Sequence, residues 1–264
     1  MKEFLIELKS RSAPLFWFGL ANLVLAAVFL MFTRFSNTRV LGISAWIKPF
    51  KFALSISIYS WTMAWFIAYL SNFNKNQFGV SVVILLGFEI IYIGMQAGRG
   101  QLSHFNLSSP LYSWLFRLMA FAATAVSLYT AYIGILFFSG KFPQLPAYYL
   151  WSIRLGILLF VIFSFEGFIM GAKLSHTVGG SDGSIGLPLV NWSLKYGDLR
   201  IAHFVGMHAM QVLPLLSFYL LRNSALTIAV VVVYATVASL VLITALQGKP
   251  LIKTARYETT AMAA

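Results

Sequence analysis

The residues able to do chemistry in this chain are few, and most fall toward one side of it. His104, His176, His203 and His208 are its only histidines, and it has no cysteine. Glu89 and Glu166 lie deep within apolar runs. Imidazoles beside carboxylates suit Zn, Fe, Mn or Cu. The four histidines are therefore the expected metal ligands, with Glu89 and Glu166 as ligands or proton carriers. Arg117 and Lys51 join the glutamates as candidate catalytic residues, where they would bind an anionic group or hold the carboxylates ionised. Lys48, Arg99 and Arg200 are expected to bind a cofactor. A haem held by His104 and His176, with those three cations on its propionates, is the alternative to a non-haem divalent metal. Lys48 and Lys51 also suit a phosphate or lipid head group. HEXXH and EXXH spacings are absent, so the metal expectation rests on composition. No P-loop, dinucleotide fingerprint or GxSxG elbow occurs.

The surrounding sequence is that of a membrane protein. Of 264 residues, 59% are hydrophobic and 10% charged, against about 25% charged in soluble domains. Mean hydropathy is +0.82. The net charge of +12 comes from basic residues scattered over helix ends and loops. That distribution fits anionic lipid and argues against nucleic acid. Without cysteine, disulfides, thiolate metal sites and iron–sulfur clusters are excluded.

Apolar runs long enough to span, about 20 residues each, lie near 14–33, 46–70, 78–98, 111–138, 148–171, 200–221 and 224–246. The expected fold is an all-α integral membrane protein, a seven-transmembrane-helix bundle forming one domain over 1–264. Residues 1–13 read as an interfacial helix, 172–199 as a long functional loop and 247–264 as a polar tail. The odd span count puts the termini on opposite sides, here called A (N-terminal) and B (C-terminal). Side B carries the larger number of Lys and Arg, which assigns it to the cytoplasm.

Two side B segments resemble each other. Gln101-Leu-Ser-His104 precedes Pro110-Leu-Tyr-Ser-Trp114, and Lys173-Leu-Ser-His176 precedes Pro188-Leu-Val-Asn-Trp192. Each follows a run with a deep glutamate and a GxxxG step, Gly94–Gly98 or Gly167–Gly171. This predicts a repeated two-helix unit, spans 3–4 and 5–6, related by an axis along the membrane normal. Helix rise places Lys51, Glu89, Arg117, Glu166 and His208 in one layer ~8–14 Å below the side B boundary. His203 and His208 are five residues apart and point about 140° from each other on a helix; unwinding at Gly206 would bring them together. Otherwise His208 groups with Gln211 and Glu166, and His203 with His104 and His176.

The leading functional expectation is a metal- or haem-dependent membrane enzyme, of redox type or other, acting on a lipid- or quinone-like substrate. A proton-coupled transporter or channel using the Glu/His layer as a relay is the alternative. A small membrane subunit or assembly factor is a third.

Overall fold

A computed structural model describes residues 2–183 and 186–252. The chain divides into two compact units, Met1–Pro146 and Ala147–Ala264.

The first unit opens with α1 (Lys2–Arg11), an exposed amphipathic helix anchored by fully buried Leu8. Glu7 and Arg11 pair one turn apart at 2.8 Å. Arg11 also donates to the Trp65 carbonyl and stacks over that indole at 3.8 Å. Pro14 sits in the first turn of α2 (Ala13–Phe35), where its missing N–H costs nothing. A two-stranded turn follows, β1 (Arg39–Val40) against β2 (Ile43–Ser44). Its tip, Leu41 and Gly42, has positive φ at both residues, as a tight hairpin with the strands' own twist requires.

Next come α3 (Ile47–Ile67), α4 (Lys75–Gly98) and α5 (Pro110–Ser139). Asn74 caps α4 by accepting from the Gln77 amide, and Ser109 caps α5 by accepting from Tyr112. Helices α2, α3 and α4 pack on one another, and α5 packs on α4. The indole N–H of Trp61 donates to the Phe16 carbonyl at 3.2 Å, its ring filling the space a side chain at Gly19 would occupy. Tyr59 and Thr130 hydroxyls join α3 to α5 at 2.7 Å.

The second unit contains α6 (Ala147–Phe165), a break at Glu166, α7 (Gly167–Lys173), α8 (Leu199–Leu216) and α9 (Ser224–Leu246). A wider π-turn, Ser217–Leu221, follows Pro214 at the end of α8. Helices α6, α8 and α9 pack on one another. The α6–α8 contact is glycine-mediated. A Cβ at Gly156 would stand 3.1 Å from the Ala209 carbonyl, and one at Gly206 would strike Phe163. Gly206 therefore serves close packing within an unbroken helix, so His203 and His208 keep their separate helical directions. Between α7 and α8, β3 (Thr177–Val178) pairs antiparallel with β4 (Gly197–Asp198).

Six helical stretches are long and apolar enough to cross a membrane, so the chain is an all-helical, multi-pass membrane protein. Ile47–Ile67 is not among the six, because Lys48, Lys51, Ser55, Ser57, Ser60 and Thr62 dilute its apolar content. The expected sequence repeat also takes different local forms. Pro110 opens α5, whereas Pro188 lies in a turn and α8 starts at Leu199. The shared element order is longer: helix, antiparallel strand pair, helix, helix, as α2–α3–α4 and as α6/α7–α8–α9.

The glycine contact is testable. Gly156→Val overpacks α6 against backbone and is expected to cost about 1–3 kcal/mol, lowering the thermal unfolding midpoint in detergent. Gly171→Val, whose added Cβ meets nothing within 4 Å, leaves the midpoint unchanged.

Candidate functional site

In the second unit, Glu166 occupies the break between α6 and α7. It is buried, and neither carboxylate oxygen has a hydrogen-bond partner. The His203 ring reaches it from α8, with Nδ1 3.2 Å from Oε2. That approach is a charge contact only, because the Nδ1 hydrogen is directed at the Phe163 carbonyl, 2.7 Å away. The carbonyl only accepts, so Nδ1 carries the proton and, in neutral His203, Nε2 holds the lone pair. Gly167 makes the approach possible: a Cβ there would sit 3.3 Å from His203 Cε1. The first glycine of the Gly167–Gly171 step thus accommodates an imidazole rather than a neighbouring helix backbone.

His208 pairs with Gln211 at 3.3 Å and lies edge-on to Phe204 at 4.4 Å. The expected contact of His208 with Gln211 is present, but Glu166 meets His203 instead of His208. The helix break explains this, since it sets Glu166 beside the first turn and a half of α8.

The loop preceding α8 is closed by two aspartates. Asp182 accepts from the Ser175 hydroxyl, the His176 amide and ring, and the Thr177 amide and hydroxyl, at 2.9–3.1 Å. Burial pushes its carboxyl up, but the His176 ring, the His176 amide and the Thr177 hydroxyl outweigh that and hold it well below the usual carboxylate range. Asp198 caps α8 and accepts from Arg200 at both oxygens, 2.8 Å from Nε and 2.5 Å from Nη2. It also accepts from the Ser193 amide at 2.8 Å. Arg200 Nη2 donates further to the Asn191 carbonyl at 2.6 Å. The Arg200 guanidinium, expected to bind a cofactor, is thus bonded within the loop to Asp198 and the Asn191 carbonyl. The signal was local: an acid two residues before the arginine, at a helix N-cap.

In the first unit, His104 sits among Phe52, Phe105 and Phe116, with ring centroids 5.5–6.3 Å apart. Its Nδ1 is 3.2 Å from the Ser103 hydroxyl. Lys48 Nζ lies 6.0 Å from the same Phe52 ring, and Lys51 is half-buried on α3. Glu89 is buried on α4 and its Oε1 has no hydrogen-bond partner; the same holds for Tyr92 Oη and Gln96 Oε1. Arg99 and Arg117 are exposed. Arg117 therefore does not join a buried charge-cancelling layer; hydropathy locates depth along α5 but not the face. Among the described residues, no group of three or more His, Asp or Glu is gathered so as to hold a metal ion. All four histidines direct Nδ1 at a protein oxygen within their own unit.

No family model, curated protein or solved structure matches the chain.

The Asp182 cluster gives a pH prediction. A carboxyl held below its unfolded value, about 3.9, stabilises the fold above that pH, and the contribution is lost as pH falls toward the folded value. Asp182→Asn is expected to speed hydrogen exchange at residues 175–178 near neutral pH. The difference from the parent should hold steady from pH 6 to about pH 5 and narrow as pH falls from about pH 4 toward pH 2; a difference that stays constant below pH 4 would contradict the assignment.

Proposed function

We propose that the protein is a seven-span, proton-coupled transporter whose proton-exchanging pair is Glu166 with His203. The observation that carries this reading is the state of Glu166: both oxygens buried at a break in a membrane-crossing stretch, with no hydrogen bond and an imidazole at 3.2 Å. An ionised carboxylate in that setting is costly, and protonation removes the cost. The adjacent imidazole offers a second, nitrogen-borne proton beside the carboxylate. Broken helices in transporters mark substrate and ion sites. Ile47–Ile67 serves as the seventh span, its lysines near the side B end, which faces the cytoplasm. The repeated helix–strand pair–helix–helix order, with α5 as linker, supports the reading, because internal repeats recur in transporters.

A metal- or haem-dependent enzyme acting on a lipid- or quinone-like substrate is the second reading. The Asp182–His176 pair at 2.9 Å favours it, since carboxylates commonly orient ligating or basic imidazoles. Metal analysis and a visible spectrum of protein purified in mild detergent separate the two readings. Stoichiometric metal or a Soret band supports the enzyme.

For the transporter, proteoliposomes enclosing a pH-sensitive dye should acidify under an imposed inward-driving potential. Glu166→Gln, which keeps shape but carries no exchangeable acid proton, should reduce the rate to that of empty vesicles. Asp182→Asn, in the loop, should retain most of it. Acidification undiminished in Glu166→Gln would end the proposal.

A further inference from the structure

Three of the buried polar atoms that lack hydrogen bonds share one face of α4: Glu89 Oε1, Tyr92 Oη and Gln96 Oε1. Steps of three and four residues set these side chains on successive turns, within an arc of about 60°. The face is turned inward, because Tyr92 and Ile93 pack with Leu115 and Met119 of α5 and with Phe52 of α3. Gln96 is held in place: its Nε2 donates to the Leu102 carbonyl at 3.1 Å, which leaves Oε1 as an acceptor. The Tyr92 hydroxyl lies close to Gln96 with no completed hydrogen bond. Tyr112, half-buried in the first turn of α5, is near enough to act on Tyr92 electrostatically.

Glu89 has no ion-pair partner among the described residues. An ionised carboxylate there is costly, and a bound proton removes the cost. The proton also supplies what this face of α4 lacks. A protonated Glu89 donates, a phenol both accepts and donates, and the Gln96 oxygen accepts. With Glu89 ionised, the single Tyr92 hydrogen would have two acceptors to serve. We infer that Glu89 is a second proton-binding site, which exchanges with side B through the Tyr92 and Tyr112 hydroxyls. The proton passes from the Glu89 carboxyl to the Tyr92 oxygen. The Tyr92 hydrogen passes to the Tyr112 oxygen, and the Tyr112 hydrogen leaves to water. Each phenol ends with the one hydrogen it began with. Gln96 is a positioning residue, whose fixed oxygen holds the Tyr92 hydroxyl between exchanges. The site lies wholly within the first unit and does not depend on the Glu166–His203 reading.

The test uses the full chain in phosphatidylcholine vesicles and reads the proton itself. Infrared spectra of the carboxylic-acid C=O stretch are followed near neutral pH after transfer to D2O. The parent should show a band that Glu89→Gln removes, that Glu89→Asp shifts in frequency, and that Glu166→Gln leaves in place. Tyr92→Phe should keep the band and slow its deuterium exchange about tenfold, the effect of one relay hydrogen bond lost. Gln96→Leu should slow it in the same direction. A purely structural role for Tyr92 or Gln96 would loosen the packing and speed exchange instead. Ile91→Val, on the exposed face of α4, should leave the rate unchanged. A carboxylic-acid band unaltered in folded Glu89→Gln and Glu89→Asp, or exchange as fast as the parent's in Tyr92→Phe, would each overturn the inference while leaving the Glu166–His203 pair untouched.

Discussion

Inside hydrocarbon there is no water to take up a hydrogen bond, so each polar atom must find its partner within the chain. Most of the helix-borne hydroxyls here do so in the cheapest way. Ser60, Thr62, Thr124, Thr130, Thr236 and Thr244 each donate to the carbonyl one turn back, at 2.6–2.8 Å. Asn22 does the same through its amide. Against that background the exceptions stand out. Ser12, Ser44, Trp46, Glu89, Tyr92, Gln96 and Glu166 each bury a side-chain polar atom without a hydrogen-bond partner. Each marks an unmet polar demand at an energetic cost, and the functional argument rests on Glu166, where both carboxylate oxygens are so placed.

The same constraint governs the helix ends. Asn74, Ser109, Asn223 and Asp198 each take up an amide that the first turn leaves over. On side B of the second unit the demand is greater, because the connection from α7 to α8 runs through about 25 residues. Asp198 with Arg200, and Asp182 with the Ser175–Thr177 backbone, tie that stretch down. Charges that look free for catalysis in the sequence are spent on architecture, which leaves Glu166 and His203 as the chemically underemployed pair.

The membrane character, the helix positions and the depth of both glutamates were legible in the sequence, because long apolar runs with few charges admit one interpretation. The partner of each histidine was not. His203 was assigned to the loop histidines and His208 to Gln211 and Glu166; the structure keeps the Gln211 contact and gives Glu166 to His203. The decisive facts, a one-residue break at Glu166 and a glycine at 167 that admits an imidazole, are too local for periodicity to register. Arg117 failed for another reason: depth along a helix follows from counting, but facing follows from packing. The glycines are likewise explained only by packing: Gly206 seats Phe163, Gly94 admits the Phe29 ring of α2, and Gly167 admits the His203 ring.

The Asp182 cluster is wired almost entirely within eight residues of chain. Its donors come from Ser175, His176 and Thr177, and its acceptor lies five to seven positions later. Closing so short a circuit costs little entropy. The same stretch also holds the start of α8, because Thr177 pairs with Asp198 and the Leu199 amide donates to the His176 carbonyl at 3.0 Å. The register of α8, and with it the height at which His203 meets Glu166, is therefore set in part by a local loop circuit and not by helix packing alone.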